Sequence, residues 1–217
     1  QNTMKKEKKL EKIFSPKKPV VTYILIVLNL MVFLYGVLHG NDELINMFGN
    51  NYELVQNGEF YRLFTCMFVH ADILHILFMI ALYSIGPVVE RYYGKSKFLL
   101  IYLVSGLLGS IFSGVFMTAD SISIGASGAI FGLLGSICYF TYYYRATLQG
   151  ILRGSIMPVI IINLVIGFLS SSIDLSAHIG GLIGGILISM AIGIGDKHRK
   201  SDQINGLVVL ILMAGGG

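Results

Sequence analysis

Residues 175–195 read LSAHIGGLIGGILISMAIGIG, a run of 21 residues without a single Asp, Glu, Lys or Arg. A helix of about 20 apolar residues crosses the hydrocarbon core of a bilayer, so this run predicts a transmembrane helix. Gly181 and Gly185 are spaced as GxxxG, which lets a neighbouring helix approach closely. His178 is the ionisable side chain of the run. An ionisable group inside such a helix is costly and marks a candidate functional residue.

The rest of the chain repeats this pattern. Five other uncharged runs of similar length precede it: Val20–Leu38, Ile73–Val89, Phe98–Ala119, Ser121–Tyr144 and Gly154–Ile173. Hydrophobic residues make up 54% of the 217 residues and charged residues 13%, against about 25% charged in a soluble domain. The sequence therefore predicts an all-α, polytopic membrane protein built as a bundle of six transmembrane helices. The apolar run Ile204–Gly217 is too short to span, and it predicts either a truncated seventh helix or a mobile tail.

These runs divide the chain into three parts. Residues 1–19 form a lysine-rich tail, residues 20–195 form the predicted membrane core, and residues 196–217 form a basic segment followed by the partial apolar run. The first apolar run is longer than the apolar part of a secretory signal, and no small-x-small cleavage site follows it. We therefore expect an uncleaved first helix.

Positive charge predicts which side of the membrane each end faces. Fifteen of the 16 Lys and Arg residues lie before the first predicted helix, in alternate connections or after the sixth, while Arg62 alone lies in the long first outer loop. By the positive-inside rule, both ends of the six-helix core are cytoplasmic. Lysine-rich flanks and a compact core suit a bacterial plasma membrane. The net charge of +4 reflects this topology, and no basic groove with interleaved aromatic residues points to nucleic acid.

Polar residues gather near the predicted outer face of the membrane. Ser127 lies seven residues into the fourth run, about 10 Å at helical rise, and His178 lies four residues into the sixth, about 6 Å. His75 and the preceding His70 reach a similar level at the start of the second run. Each histidine could instead make a structural hydrogen bond or bind a metal, since imidazole is a common ligand. However, His70 and His75 are about 140° apart around a helix, which is poor spacing for one metal, so we expect no metal or other cofactor.

The residues around Ser127 favour catalysis over simple packing. Residues 122–132 read ISIGASGAIFG, so Ser127 is flanked by Gly125 and Gly128. A serine among glycines is often only a site of close helix packing. Serine beside a neutral histidine is nevertheless the minimum for nucleophilic catalysis, because the imidazole removes the hydroxyl proton and later returns it to the leaving group. The glycines one and two turns beyond His178 predict that the sixth helix presses against the fourth and joins the two side chains.

Four stretches of the chain carry a more specific signal together than any one of them alone. They are GASG at 125–128, AHIGGLIGG at 177–185, YRLFTCMFVHADILHILF at 61–78 and VERYYGKSKFLLIYLVSGLLGS at 89–110. This combination resembles the rhomboid family of intramembrane serine proteases. The resemblance runs from about the first predicted helix to the sixth.

The resemblance implies a six-helix core with a Ser–His dyad that opens to the outer side through a water-filled cavity. Ser127 would be the nucleophile and His178 the general base. His75 would donate to the oxyanion together with the backbone N–H of Ser127, which lies near the start of a helix. Phe131 would pack on the catalytic imidazole. Supporting roles fall to the remaining matched residues, His70, Gly181, Gly185 and the structural Arg62.

The implied activity is endopeptidase cleavage of transmembrane or membrane-proximal segments near the outer face. The expected partners are therefore transmembrane substrate proteins and the lipid bilayer, and no cofactor is implied. A peptide bond within a helix has its carbonyl shielded and hydrogen-bonded, so substrates with small or helix-weakening residues near the outer interface are expected.

The chain departs from the family pattern at Met79. The family usually has an asparagine four residues after the oxyanion histidine, and that position is Met79 here. The downstream motifs ALYSIG and VERYYG align better if one residue is missing than if asparagine was replaced. In either case one oxyanion donor is absent, a loss that can cost about 10²–10³ in kcat.

Two other functions fit parts of the sequence. A rhomboid-like pseudoprotease would bind membrane segments without cleaving them; Met79 favours this alternative, and the intact Ser127 and His178 argue against it. A small transporter would need a path of polar side chains that continues through the membrane midplane to the inside. Asn29 and Asn163 do not form such a path.

Overall fold

The structure is a computed structural model that describes residues 18–118, 120–144, 157–158, 161–162, 165, 173–194 and 199–215. Its helices in chain order are α1 (Val20–His39), α2 (Asn41–Phe48), α3 (Tyr52–Gln56), α4 (Arg62–Thr65), a 3₁₀ turn (Cys66–Phe68), α5 (Ile73–Ile76), α6 (Phe78–Tyr93), α7 (Lys95–Phe116), α8 (Ser127–Tyr143), α9 (Leu175–Ile192) and α10 (Lys200–Gly215). Two short strands, β1 (Asn50–Asn51) and β2 (Ile122–Ser123), pair in antiparallel fashion.

The prediction of a helical membrane bundle is confirmed. Among the described residues, four helical segments are long and apolar enough to cross a bilayer: Val20–His39, Ile73–Tyr93, Lys95–Phe116 and Leu175–Ile192. The helix α8 has 17 residues, at the lower end of the length that a spanning helix needs. The fifth predicted run, residues 154–173, lies outside the described residues except at its end and at a few isolated positions.

The centre of the bundle is formed by α7, α8 and α9, which pack against one another. Of the 17 residues of α8, 13 are buried, whereas only four of the 20 residues of α1 are. An apolar helix buried on nearly every side lies in the middle of a bundle, while an apolar helix left uncovered by protein faces lipid. The polar residues carried by α8 are therefore enclosed by protein.

Close contact between α8 and α9 depends on glycine in both helices. A Cβ atom at Gly181 would collide with the carbonyl oxygen of Gly128, and a Cβ atom at Gly185 would collide with the carbonyl oxygen of Gly132. The two backbones therefore touch directly, as small-residue spacing allows between membrane helices. Gly181 and Gly185 lie at the helix contact that their GxxxG spacing predicts.

A second pair of glycines turns a neighbouring face of α9 toward α7. A Cβ atom at Gly180 would lie 2.6 Å from the Cβ of Phe112, and one at Gly184 would lie 2.9 Å from a methyl carbon of Leu108. Both distances are too short for real side-chain contacts. The helix α9 is thus held between α7 and α8 by two adjacent glycine faces.

The start of α1 is fixed by a carboxylate from the end of α6. Glu90 is 5% exposed and accepts hydrogen bonds from the backbone N–H groups of Val21 (3.1 Å) and Thr22 (2.9 Å). It also accepts the Thr22 hydroxyl at 2.8 Å. The first N–H groups of a helix lack intrahelical acceptors, so a carboxylate placed there caps the helix and complements its dipole.

The long connection between α1 and α5 is folded rather than loose. Its short helices and β1 are organised around Arg62, which is 5% exposed. The Arg62 Nη1 donates to the carbonyl oxygens of Asn46 (2.8 Å) and Gly49 (2.9 Å), and its Nε donates to Glu59 at 2.6 Å. A buried guanidinium with carbonyl and carboxylate partners is satisfied, which agrees with the structural role that the resemblance implies for Arg62.

Two boundaries differ from the sequence prediction. The fourth run was expected to be helical from Ser121, but the helix begins only at Ser127, because β2 occupies the preceding residues and Gly125 has φ +108°, outside the helical region. The run that begins at Ile204 belongs to α10, which packs on α9 where Gly206 meets the carbonyl of Leu187. For its described part, the helical alternative is therefore the correct one.

Candidate active site

Ser127 is the first residue of α8 and is 7% exposed. The chain reaches it through Gly125, whose N–H donates to the carbonyl oxygen of Cys66 at 2.8 Å. The depth of about 10 Å estimated from helical rise is therefore wrong, since residues 121–126 are not helical. The sequence predicts the N–H of Ser127 near a helix start, and the structure puts Ser127 in the first turn of α8. First-turn N–H groups have no intrahelical acceptor.

His178 lies in the first turn of α9 and is 3% exposed. Its ring is stacked on Phe131, with centroids 4.2 Å apart and planes inclined by 15°. Phe78 contacts it from another side, at a centroid distance of 6.4 Å. The Nδ1 atom of His178 is buried and has no hydrogen-bond partner among the described residues. Aromatic contacts therefore set the orientation of this imidazole.

His75 is positioned by a capped helix start. Asp72 precedes α5 and accepts the N–H of His75 at 2.8 Å, as an N-cap aspartate does. The ring of His75 lies against Gly125, where a Cβ atom would collide with it. The absence of a side chain at Gly125 is what allows His75 to approach the backbone just before Ser127.

His70 supports the same segment from behind. It is 1% exposed, its Nδ1 lies 3.3 Å from the carbonyl oxygen of Phe68, and its Nε2 accepts the N–H of Ala126 at 3.4 Å. Burial and, to a smaller degree, the neighbouring His75 lower the pKa of His70 to about 4, and the bond to Phe68 opposes this shift. A neutral ring that donates through Nδ1 satisfies both contacts.

The two histidines at the start of the second run are closer than their helical spacing predicts. The rings of His70 and His75 lie 5.1 Å apart, edge to face. The separation of about 140° predicted for two residues of one helix does not apply, because His70 precedes α5 and is not helical. Within the described ranges, no group of three or more His, Cys, Asp and Glu side chains is arranged to hold a metal ion.

One cavity joins the predicted site residues. It has a volume of about 620 Å³, and Ser127, His75 and His178 line it together with Asp72 and Asp174. The other predicted site residues lie outside its lining and contact the lining residues or the helices that carry them: Phe131, His70, Gly181 and Gly185. A hydroxyl and two imidazoles facing one space are the groups needed for nucleophilic attack and proton transfer.

Two polar residues of the lining, Asp174 and Ser123, are joined by a hydrogen bond that the sequence does not predict. Asp174 accepts the N–H of Ala177 at 2.9 Å through Oδ1, and its Oδ2 accepts the hydroxyl of Ser123 at 2.5 Å. The N-cap role of Asp174 could have been predicted, because an aspartate directly precedes the apolar run. Its bond to Ser123 joins residues 51 positions apart and has no local signal.

Comparison with known proteins finds one matching family and several related proteins. The rhomboid domain family matches residues 57–194, more than half of the chain. The chain is 40% identical over 209 residues to Rhomboid protease GluP of Bacillus subtilis (strain 168), covering 94% of this chain and 41% of that protein. It is 36% identical over 187 residues to the rhomboid relative YdcA of the same strain, covering 84% of this chain and 92% of YdcA.

A plant relative matches a shorter part. RHOMBOID-like protein 4 of Arabidopsis thaliana is 34% identical over 160 residues, which cover 71% of this chain and 39% of that protein. The chain thus spans less than half the length of this relative and of GluP. The helical membrane fold, the family match over residues 57–194 and the identity to YdcA over nearly its whole length lead to one conclusion: the chain is a member of the rhomboid family.

Proposed function

We propose that this chain is an intramembrane serine endopeptidase in which Ser127 is the nucleophile and His178 the general base. The observation that carries the proposal is the shared cavity: Ser127 and His178 come from two helices in direct contact and line the same space. The stacking of Phe131 on the imidazole supports it, because a general base must be held in one orientation.

The proposed reaction begins with proton transfer between these two residues. Because Nδ1 of His178 is buried, Nε2 is the ring nitrogen left to accept the proton of the Ser127 hydroxyl. The oxygen then attacks the carbonyl carbon of the scissile peptide bond. The tetrahedral intermediate collapses as the imidazolium returns its proton to the leaving amine, and water then hydrolyses the acyl-enzyme by the same route.

Negative charge on the intermediate needs donors at a fixed position. The backbone N–H of Ser127 is free of an intrahelical acceptor, and the imidazole of His75 lies against the residues that lead to it. Both are therefore proposed as oxyanion donors, which act most strongly in a site shielded from bulk water. The role of His70 in this scheme is to hold Ala126, and with it the start of α8.

The proposed substrates are single membrane-spanning segments of other proteins, cut near the outer face. A peptide must leave helical geometry to present its carbonyl in the cavity, which favours segments with small or helix-weakening residues. We also propose a bacterial plasma membrane location with the N-terminus in the cytoplasm. A membrane-impermeant maleimide should then label Asn57→Cys and not Lys18→Cys in intact cells, since both side chains are exposed.

The activity can be tested with purified protein and a panel of single-span substrates. We expect cleavage by the unaltered chain, none by Ser127→Ala or His178→Ala, and normal cleavage by the matched controls Ser84→Ala and His39→Ala, which alter exposed residues outside the cavity. A fluorophosphonate should label the unaltered chain at Ser127. Cleavage that persists in either dyad variant would contradict the assignment, and substrate binding without cleavage or labelling would favour the pseudoprotease.

A further inference from the structure

The carboxylate of Asp174 has two oxygens with two separate partners. Oδ1 accepts the N–H of Ala177 at 2.9 Å and so caps α9. Oδ2 accepts the hydroxyl of Ser123 at 2.5 Å. Capping needs only one of these bonds. The bond to Ser123 therefore has a separate consequence.

That bond joins the two segments that enter the proposed catalytic helices. Ser123 lies four residues before Ser127, and Asp174 lies four residues before His178. Ser123 also belongs to β2, whose partner strand contains Asn50. A single hydrogen bond thus connects the approach to the proposed nucleophile with the approach to the proposed base.

The strand β1 and the carbonyl oxygen of Cys66 hold the segment around Ser123 to the first outer loop, and the bond to Asp174 holds it to the start of α9. Between Ser123 and Ser127 the chain passes through Gly125, which has φ +108° and whose lack of a side chain allows wide torsional freedom. The glycine contacts between α8 and α9 hold the helices from Gly128 onward and do not reach this segment. Ser123 is 9% exposed and Asp174 is half-buried in the lining of the cavity, so the bond between them is partly shielded from water.

We propose that the Ser123–Asp174 hydrogen bond is a positioning device, which sets the approach of Ser127 and His75 to His178 across the cavity. This inference rests on the proposed function and adds two residues to it. Neither residue is assigned a covalent step. Misplacement of reacting groups by about 1 Å can cost about 10²-fold in rate, so the loss of one fastening bond has a measurable effect.

The two oxygens allow the two roles of Asp174 to be separated. Ser123→Ala removes the bond to Oδ2 and leaves the cap at Oδ1 intact. Asp174→Ala removes both. Asp174→Asn keeps an acceptor for Ala177 and gains an amide that can donate to the Ser123 oxygen, so it preserves both contacts without the charge.

The experiment measures kcat, KM and thermal unfolding on a cleaved single-span substrate, with Ser84→Ala as the matched serine control. We expect Ser123→Ala to lower kcat about tenfold, with KM and the unfolding midpoint close to the unaltered protein. Asp174→Ala should lower kcat equally and also lower the unfolding midpoint. The double variant should be no slower than Asp174→Ala, and Asp174→Asn should recover most of kcat.

A small fluorophosphonate gives a second readout, since its reaction with Ser127 needs the dyad and not a docked membrane segment. Slower labelling of Ser123→Ala is expected. If Ser123→Ala cleaves and labels as fast as Ser84→Ala, or if the two single effects add fully, the inference is overturned while the proposed protease stands. An unaltered chain without Ser127-dependent cleavage or labelling would instead overturn the proposed function, and the inference with it.

Discussion

The aromatic ring of Phe131 lies parallel to the imidazole of His178, one turn along α8 from Ser127, with ring centroids 4.2 Å apart. Phe131 is 2% exposed, so this contact is made inside the protein. A flat surface against the imidazole opposes tilting of the ring, and it leaves the ring edge with Nε2 free for proton transfer. The geometry links a core residue to the proposed chemistry.

Replacing Phe131 with leucine should therefore impair catalysis more than folding. We expect Phe131→Leu to lower kcat about tenfold, part of the 10²–10⁴ that a positioned general base contributes, with KM little changed. The exposed Phe116 provides the matched control, as Phe116→Leu should leave kcat unaltered. Steady-state cleavage kinetics would check both. Equal kcat values for the two variants would show that stacking has no role in catalysis.

The glycine contact between α8 and α9 predicts that one added methyl group lowers the stability of the fold. Gly185→Ala places a Cβ atom into the carbonyl oxygen of Gly132, and overpacking of this kind costs about 1–3 kcal/mol. We expect a lower unfolding midpoint and reduced cleavage. Gly215→Ala, where the added atom meets nothing within 4 Å, should unfold like the unaltered protein. Normal melting of Gly185→Ala would mean that the helices separate easily.

The position of Met79 bears on the missing oxyanion donor. Met79 is 5% exposed and belongs to the hydrophobic core rather than to the cavity lining, and the helix is interrupted at Leu77. Met79→Asn should therefore bury an amide and destabilise the protein without raising kcat. Insertion of Asn between Phe78 and Met79 is expected to raise kcat, with little change in KM.

An inserted alanine at the same place provides the control for that experiment, because it changes the helix register by about 100° without adding a donor. Single-turnover cleavage would compare the two insertions. If the asparagine insertion gives no gain over the unaltered chain, the asparagine is dispensable in this protein.

His70 predicts a dependence of stability on pH. Its pKa is about 4 in the folded protein, against 6.5 for an ordinary histidine, so protonation favours the unfolded chain. Its contribution to stability is complete above about pH 6.5 and is lost as the pH falls toward 4. Thermal unfolding in detergent across this range should show His70→Gln losing less stability on acidification than the unaltered protein. Parallel curves would assign the acid sensitivity to other groups.

The long apolar runs were enough to predict the spanning helices, since charge and length determine which segments a bilayer accepts. The predicted run Leu175–Gly195 corresponds to α9 at Leu175–Ile192, and Val20–Leu38 corresponds to α1 at Val20–His39. The sequence does not predict the start of α8, because residues 121–126 carry no charge and continue directly into the apolar run. Only the positive φ of Gly125 and the pairing of β2 with β1 exclude a helix there. Hydropathy cannot detect either feature.

The residues of the candidate site could be predicted from the sequence about as well as the helices. A hydroxyl and three imidazoles at one level of the membrane predict Ser127, His178, His75 and His70 as site residues, and the first three of them line one cavity. Their catalytic roles stay predictions until the variants are measured. The bond between Ser123 and Asp174 could not be predicted, because it depends on how two distant segments meet.

The two glycine faces of α9 limit how this protein can move. One face rests on the backbone of α8 and the other on α7, so rotation of α9 about its own axis would bring side chains larger than glycine into these close contacts. His178 therefore lies on a helix whose rotation is restricted by both of its neighbours. Entry of a bulky substrate into the cavity is expected to come from displacement of elements outside α7, α8 and α9, and mutations that loosen those elements should speed access without disturbing the dyad.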